Sequence, residues 1–163
     1  MKIIKYAAID IGSNAIRMLI ANVIFQDNKS FIFKNSFIRL PIRLGKDSFT
    51  KGHISESKIL DLIDAFKSFK LIMKIHNVSR FKVYATSALR ESSNKMKIVE
   101  RVFNESKIKI EIINGKKEAM IISKTNIFKN LDYRLIYMLM LVEEAQSYLL
   151  LMTQKLTYQN HLN

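Results

Sequence analysis

Tyr6-Ala7-Ala8-Ile9-Asp10-Ile11-Gly12-Ser13-Asn14-Ala15-Ile16-Arg17-Met18-Leu19-Ile20 is the stretch on which the fold turns. An apolar run stops at the carboxylate of Asp10, turns through Gly12-Ser13-Asn14, and resumes as a second apolar run ending near Val23. That pattern predicts a buried strand, a tight turn and a returning strand. Gly12 has no Cβ, so backbone N–H groups around it can come close to an anion. Ser13 and Asn14 add side-chain donors, and Asp10 at the strand end is a candidate ligand for a divalent cation, directly or through water. The same residues also fit an ordinary hairpin whose turn is Gly-Ser-Asn. Neither a Gly-x-Gly-x-x-Gly turn nor a Gly-Lys-Ser/Thr phosphate loop occurs here.

Outward from this hairpin, Phe31-Ile32-Phe33 and residues 36–40 read as a third strand, with Gln26-Asp27-Asn28-Lys29 as the turn before it. Arg43-Leu44-Gly45 follows; an arginine beside a glycine can clamp a phosphate with two hydrogen bonds, and can equally be a solvated loop residue. His53 lies in a loop before Ser55, a candidate helix N-cap, and receives no functional role. Ile59, Leu62, Ile63, Phe66, Phe69 and Met73 recur at helical spacing, so their side chains belong to a core. Residues 81–85 read as a strand followed at once by Thr86-Ser87-Ala88-Leu89-Arg90. Hydroxyls and an arginine just beyond a strand end are well placed for an anion in an open α/β sheet. Residues 94–103 predict a helix with Met96, Val99 and Phe103 inward, and residues 108–113 a further strand. Asn114-Gly115 then opens a helix running through Ile121, Ile122 and Thr125, with Glu118 in its first turn, where negative charge is favoured.

Asp10-Ile11-Gly12-Ser13-Asn14, Arg43-Leu44-Gly45, the complete Ala85-Thr86-Ser87-Ala88-Leu89-Arg90 and Glu118-Ala119 after a Gly turn together resemble the exopolyphosphatase/guanosine pentaphosphate phosphatase family of the actin-like ATPase superfamily. The resemblance runs from about residue 6 to residue 125. It implies an α/β domain of actin-like ATPase (ribonuclease H-like) type, whose mixed sheet opens with a three-strand antiparallel meander and has helices packed on it. It implies release of terminal phosphate from polyphosphate or guanosine pentaphosphate by in-line attack of water, usually with Mg²⁺. On that resemblance Asp10 holds the metal, Gly12, Ser13 and Asn14 bind phosphate, Arg43 and Arg90 clamp it, and Glu118 is the general base. Lys117 stands where the family has the first of two glutamates.

Beyond this point the pattern breaks. The family continues with a strand ending in Asp-Val/Ile-Gly-Gly-Gly-Ser-Thr-Glu, its second phosphate loop. Here the sequence reads Ile136-Tyr137-Met138-Leu139-Met140-Leu141-Val142-Glu143-Glu144-Ala145-Gln146, and no glycine follows Gly115. Codons compatible with this stretch, read one base earlier, encode Tyr-Val-Asp-Val-Gly-Gly-Gly-Ser-Thr. A one-base shift near residues 136–137 therefore accounts for the departure; a divergent helix over 139–156 is the competing account. The expected organisation is a phosphatase-type N-terminal domain over 1–137 and a divergent tail over 138–163, the second domain being absent or separately encoded. Such a chain is expected to be inactive or weakly active. The competing function is a non-catalytic basic binder of polyphosphate, nucleotide or RNA.

Composition is consistent with this picture. At 163 residues and 48% apolar content, the chain can bury one core and is not a disordered polymer. With no cysteine it has neither disulfides nor thiolate metal sites, which suits a reducing cytoplasm. The apolar N-terminal run is ended early by Asp10, and residues 135–142 are too short to span a bilayer, so no membrane association is expected. The net charge of +13 comes from lysines scattered through every segment, not gathered in one block. It would attract polyphosphate or a heavily phosphorylated nucleotide. Phenylalanines at helical spacing read as buried, so nucleic acid is not the expected partner.

Overall fold

The computed structural model describes residues 2–26 and 29–123. Five strands form one sheet in the order β3-β2-β1-β4-β5. β1 (Lys2–Ile11), β2 (Ile16–Gln26) and β3 (Lys29–Leu40) make an antiparallel meander. β4 (Arg80–Ala85) lies parallel to β1, and β5 (Glu111–Ile112) parallel to β4. The helices are α1 (Leu44–Lys51), α2 (Glu56–Ile75), α3 (Ser87–Glu91), α4 (Lys95–Ser106) and α5 (Gly115–Ser123). This is the mixed α/β architecture expected from the sequence.

Strand alternation sorts the residues. Ala7, Ile9 and Ile11 of β1, Ile16, Met18 and Ile20 of β2, and Val83 and Ala85 of β4 face one way. Against them pack Ile59, Leu62, Ile63, Phe66, Phe69 and Met73 of α2, the whole helical stripe read from sequence, with Ile98 and Val102 of α4. Phe66 and Phe69 meet edge to face, centroids 6.3 Å apart, an arrangement aromatic rings prefer. The other face carries Tyr6, Ala8, Asp10, Arg17, Leu19 and Tyr84, all buried as well. α5 starts on this second face, since the Lys117 ammonium lies 4.9 Å from the Tyr84 ring centroid. Among the described residues no helix is long and apolar enough to cross a membrane.

Several local expectations needed correction. The third strand is continuous, with a register shift opposite Ile20/Ala21 that accommodates Asn35. Residues 44–51, to which the sequence reading assigned no element, form α1. Helix α4 is rotated from the expected phase: Met96 and Phe103 are 70% and 45% exposed, while Ile98 and Val102 are buried. Its start is pinned by the Asn94 side chain, which accepts from the Ile54 amide (3.1 Å) and donates to the Ile54 carbonyl (2.8 Å). Those bonds leave Asn94 at the N-cap position without a capping hydrogen bond of its own. The strand expected over 108–113 pairs only at Glu111 and Ile112. The divergent tail of residues 138–163 lies outside the described residues.

Ser55 does precede α2, but its hydroxyl donates to Asp47 instead of capping the helix. Asp47 is buried and also accepts from the Ser55 amide (3.0 Å) and from Lys51 (3.2 Å). The Ser55 hydroxyl and amide, then Lys51, hold its carboxyl down to about 2. A depressed folded-state pKa stabilises the fold above the ordinary carboxylate range, and the contribution is lost as pH falls through the folded value. Thermal melts should therefore show Asp47→Asn less stable than the parent near pH ~6, with the gap closing as pH falls from ~4 to ~2.

Candidate active site

The hairpin register places Asp10 opposite Arg17 and Ile11 opposite Ile16, leaving Gly12 to Ala15 as the loop. Within it the Gly12 amide donates back to the Ala15 carbonyl at 3.1 Å. The Arg17 Nη1 donates to Asp10 Oδ2 at 2.7 Å, and both residues are only 6% exposed. A Cβ on Gly12 would stand 3.1 Å from that Arg17 nitrogen, so glycine leaves room for the ion pair.

The turn into α1 braces this loop from the side. The Arg43 amide donates to the Asn14 carbonyl (3.1 Å) and the Gly45 amide to the Ser13 carbonyl (2.8 Å). A Cβ on Gly45 would fall 2.8 Å from the Ser13 Cβ, closer than two such carbons can approach, so the contact requires glycine. Arg43 itself adopts a left-handed backbone (φ 59°).

Beyond β4, Thr86 continues the β1 ladder, donating to the Ile11 carbonyl from its amide (3.2 Å) and hydroxyl (3.3 Å). This draws α3 against the first loop, where the hydroxyls of Ser13 and Ser87 sit 3.1 Å apart. On α3 the Arg90 Nη1 donates to the Ile113 carbonyl (3.0 Å) and to Glu118 Oε2 (3.3 Å). The Asn114 side chain accepts from the Lys117 amide (2.8 Å), and its carbonyl from the Glu118 amide (3.0 Å), which fixes the first turn of α5. Lys117 in turn reaches Glu111 at 2.8 Å.

The segments carrying Asp10, Ser13, Asn14, Arg90 and Glu118 thus gather at the carboxyl ends of parallel strands β1, β4 and β5, the usual ligand crevice of an open α/β sheet. Ser13 meets Ser87, and Arg90 meets Glu118. Arg43 and Asn14 touch the assembly through their backbones and have exposed side chains. Arg17 received no role from the sequence. The signal was there: it stands as far after the turn as Asp10 stands before it, and opposite charges at such positions are cross-strand neighbours. The described residues contain no cluster of three or more metal-ligating side chains. Mg²⁺ characteristically takes one or two carboxylates with water and substrate phosphates; Asp10 is the candidate carboxylate of this loop, and its Oδ2 is already bonded to Arg17.

A profile of the Ppx/GppA phosphatase family matches residues 24–130. The chain belongs to the Ppx/GppA phosphatase family. A Ppx/GppA structure from Aquifex aeolicus is 30% identical, with a TM-score of 0.66 over 74% of this chain. An exopolyphosphatase from Cytophaga hutchinsonii is also 30% identical, with a TM-score of 0.67 over 74% of this chain. The present Ppx/GppA chain covers 38% of each of those structures. A bifunctional 3-dehydroquinate synthase/phosphatase of Fusobacterium nucleatum is 36% identical over 119 residues, which are 71% of this chain and 18% of that protein. Exopolyphosphatase 1 of Mycobacterium leprae is 21% identical over 115 residues, 33% of its length. The sheet described above is therefore the opening part of the Ppx/GppA actin-like fold.

Arg17→Ala would leave the Asp10 carboxylate buried without its cation, a change that costs about 3–5 kcal/mol. Urea denaturation should show that loss. The double variant Asp10→Leu/Arg17→Met should recover most of it, because a buried ion pair replaced by apolar side chains of similar size is often neutral.

Proposed function

We propose that this chain supplies the water-activating wall of a phosphoanhydride hydrolase that removes terminal phosphate from inorganic polyphosphate or guanosine pentaphosphate. The observation that carries this reading is the Arg90–Glu118 contact at 3.3 Å, set at the carboxyl ends of β1, β4 and β5. The names of the Mycobacterium leprae and Cytophaga hutchinsonii relatives, both exopolyphosphatases, support the substrate class.

In this reading Ser13, Asn14 and Ser87 hydrogen-bond the phosphate next to the scissile bond. Arg90 turns part of its guanidinium from Glu118 to the terminal phosphate, neutralising charge that grows on the oxygens during transfer. Glu118, on the same side, orients a water and takes its proton as the oxygen attacks phosphorus in line with the leaving phosphate. Arg43 has the reach of an outer clamp because its side chain is exposed beside the Asn14 carbonyl. A bound Mg²⁺ would supply further charge neutralisation at the phosphates, with Asp10 as its protein carboxylate.

No glycine follows Gly115, so the 163-residue sequence contains no second glycine-rich phosphate loop. Slow turnover by this chain alone is part of the proposal. Incubation with long-chain polyphosphate and Mg²⁺ should release phosphate weakly. Glu118→Gln should lower that release by ~10²-fold or more while leaving tripolyphosphate binding intact, and Arg90→Ala should weaken the binding itself. Robust release that ignores Glu118→Gln would refute the assignment of the base.

A further inference from the structure

β4 and β5 are laddered only at Tyr84–Glu111 and Ala85–Ile112. Upstream of those pairs the chain leaves α4 through Lys107, whose left-handed backbone (φ 62°) redirects it. Residues 107–110 consequently run apart from β4. The gap between them is a groove of about 640 Å³ lined by Phe81, Lys82, Lys107, Lys109, Ile110 and Glu111, among others.

The groove has an apolar floor that includes Val83 and Ile112, and lysines at its rim. Burial alternates along its far wall, with Ile108 and Ile110 packed inward and Lys107 and Lys109 exposed. On the near wall Lys82 is exposed, two residues before Tyr84, and so on the same sheet face as Tyr84. None of Lys82, Lys107 and Lys109 belongs to an ion pair among the described residues, and the Lys107 ammonium lies 5.9 Å from the Phe103 ring centroid. Glu111, the single acid in the lining among the described residues, is neutralised by Lys117 at 2.8 Å. Lys117 lies over Tyr84, one row further along the sheet, and a row is about 7 Å. It is also the residue before Glu118. The groove lining ends at Ile112, next to Ile113, whose carbonyl accepts from Arg90.

We propose that this groove holds the distal phosphates of a long inorganic polyphosphate chain whose end lies at Arg90 and Glu118. The inference rests on the phosphatase reading for its choice of ligand. Lysines on flexible stems suit a featureless row of phosphates, since they offer charge without a fixed geometry. Among the described residues no Asn, Gln, Ser or Thr lines the groove to read the edge of a base, and Phe81 is the one aromatic ring there, so base-specific reading of RNA is disfavoured. Long chains would then bind more tightly than short ones at the same terminal site, through the added charge contacts.

The test uses the full 163-residue chain and two triple variants of equal charge. One is Lys82→Gln/Lys107→Gln/Lys109→Gln. The other removes exposed lysines elsewhere, Lys34→Gln/Lys74→Gln/Lys97→Gln. Calorimetric titrations with long-chain polyphosphate and with tripolyphosphate over a salt series give the affinities, and thermal melts check folding. The groove variant should lose about tenfold in long-chain affinity, keep tripolyphosphate affinity within about twofold, and show a salt slope smaller by about 2. The control variant should hold long-chain affinity within about threefold. Equal losses in both variants would reduce the effect to overall charge and overturn the proposal, as would an undiminished long-chain affinity in the groove variant. Parallel loss of poly(U) binding would make the groove a general nucleic-acid surface and overturn the assigned ligand. Arg90→Ala and Glu118→Gln serve as the separate arm. If they leave phosphate release and tripolyphosphate binding untouched, the catalytic reading falls, while the difference between the two lysine variants still decides the groove.

Discussion

The buried bond between Arg17 and Asp10 constrains everything near it. Two charges 2.7 Å apart and almost wholly removed from solvent are tolerable only as partners. A one-residue slip of β2 against β1 would separate them and also turn each strand's apolar set to the wrong face. The pair therefore fixes the hairpin register, and the register fixes which four residues form the loop. Gly12 follows from the same demand, because any side chain there would crowd the guanidinium.

From that loop outward, the site is built by strands handing their ends to one another. Ile11 accepts from Thr86, and Ala85 accepts from the Ile113 amide, so three successive loops are drawn to one edge by ordinary ladder bonds. Side chains then tie the loops together, Ser13 to Ser87 and Arg90 to both Ile113 and Glu118. The Gly45 turn closes the arrangement from the flank. A reactive group positioned by rigid elements is held more closely than one on a free loop, and each candidate here sits within a few residues of a strand or helix end.

The fold was largely legible because its signals are local. Strand alternation around Asp10, the α2 stripe from Ile59 to Met73 and the strand before Thr86 all report their own burial. What escaped was set by distant partners. Nothing near Met96 or Phe103 announces that Asn94 will lock onto Ile54, forty residues away in sequence, and turn the helix. Ser55 reads as a cap until Asp47, eight residues earlier, claims its hydroxyl. The shortening of β5 likewise depends on where α4 ends and on the backbone of Lys107. At the site, residue types pointed to Asp10, Ser13, Arg90 and Glu118 as candidates, but contacts between them are tertiary facts. Arg17 was missed because it looked like one more basic residue in a basic chain.

The extra residue at Asn35 in β3 has an effect beyond its own turn of chain. Among the described residues β3 is an edge strand of this sheet, and Phe33 and Phe37, four residues apart, would share a face in a regular strand. With Asn35 bulged out, Phe33 pairs with Asn22 while Phe37 pairs with Leu19, which puts the two rings on opposite sides. Lys34 then shares the side of Phe37 and lies 5.5 Å from its ring. Both rings are substantially exposed, at 52% and 38%. Kept apart, the two rings do not pack on each other along the strand. The one extra residue thus decides which side of the strand each exposed ring occupies.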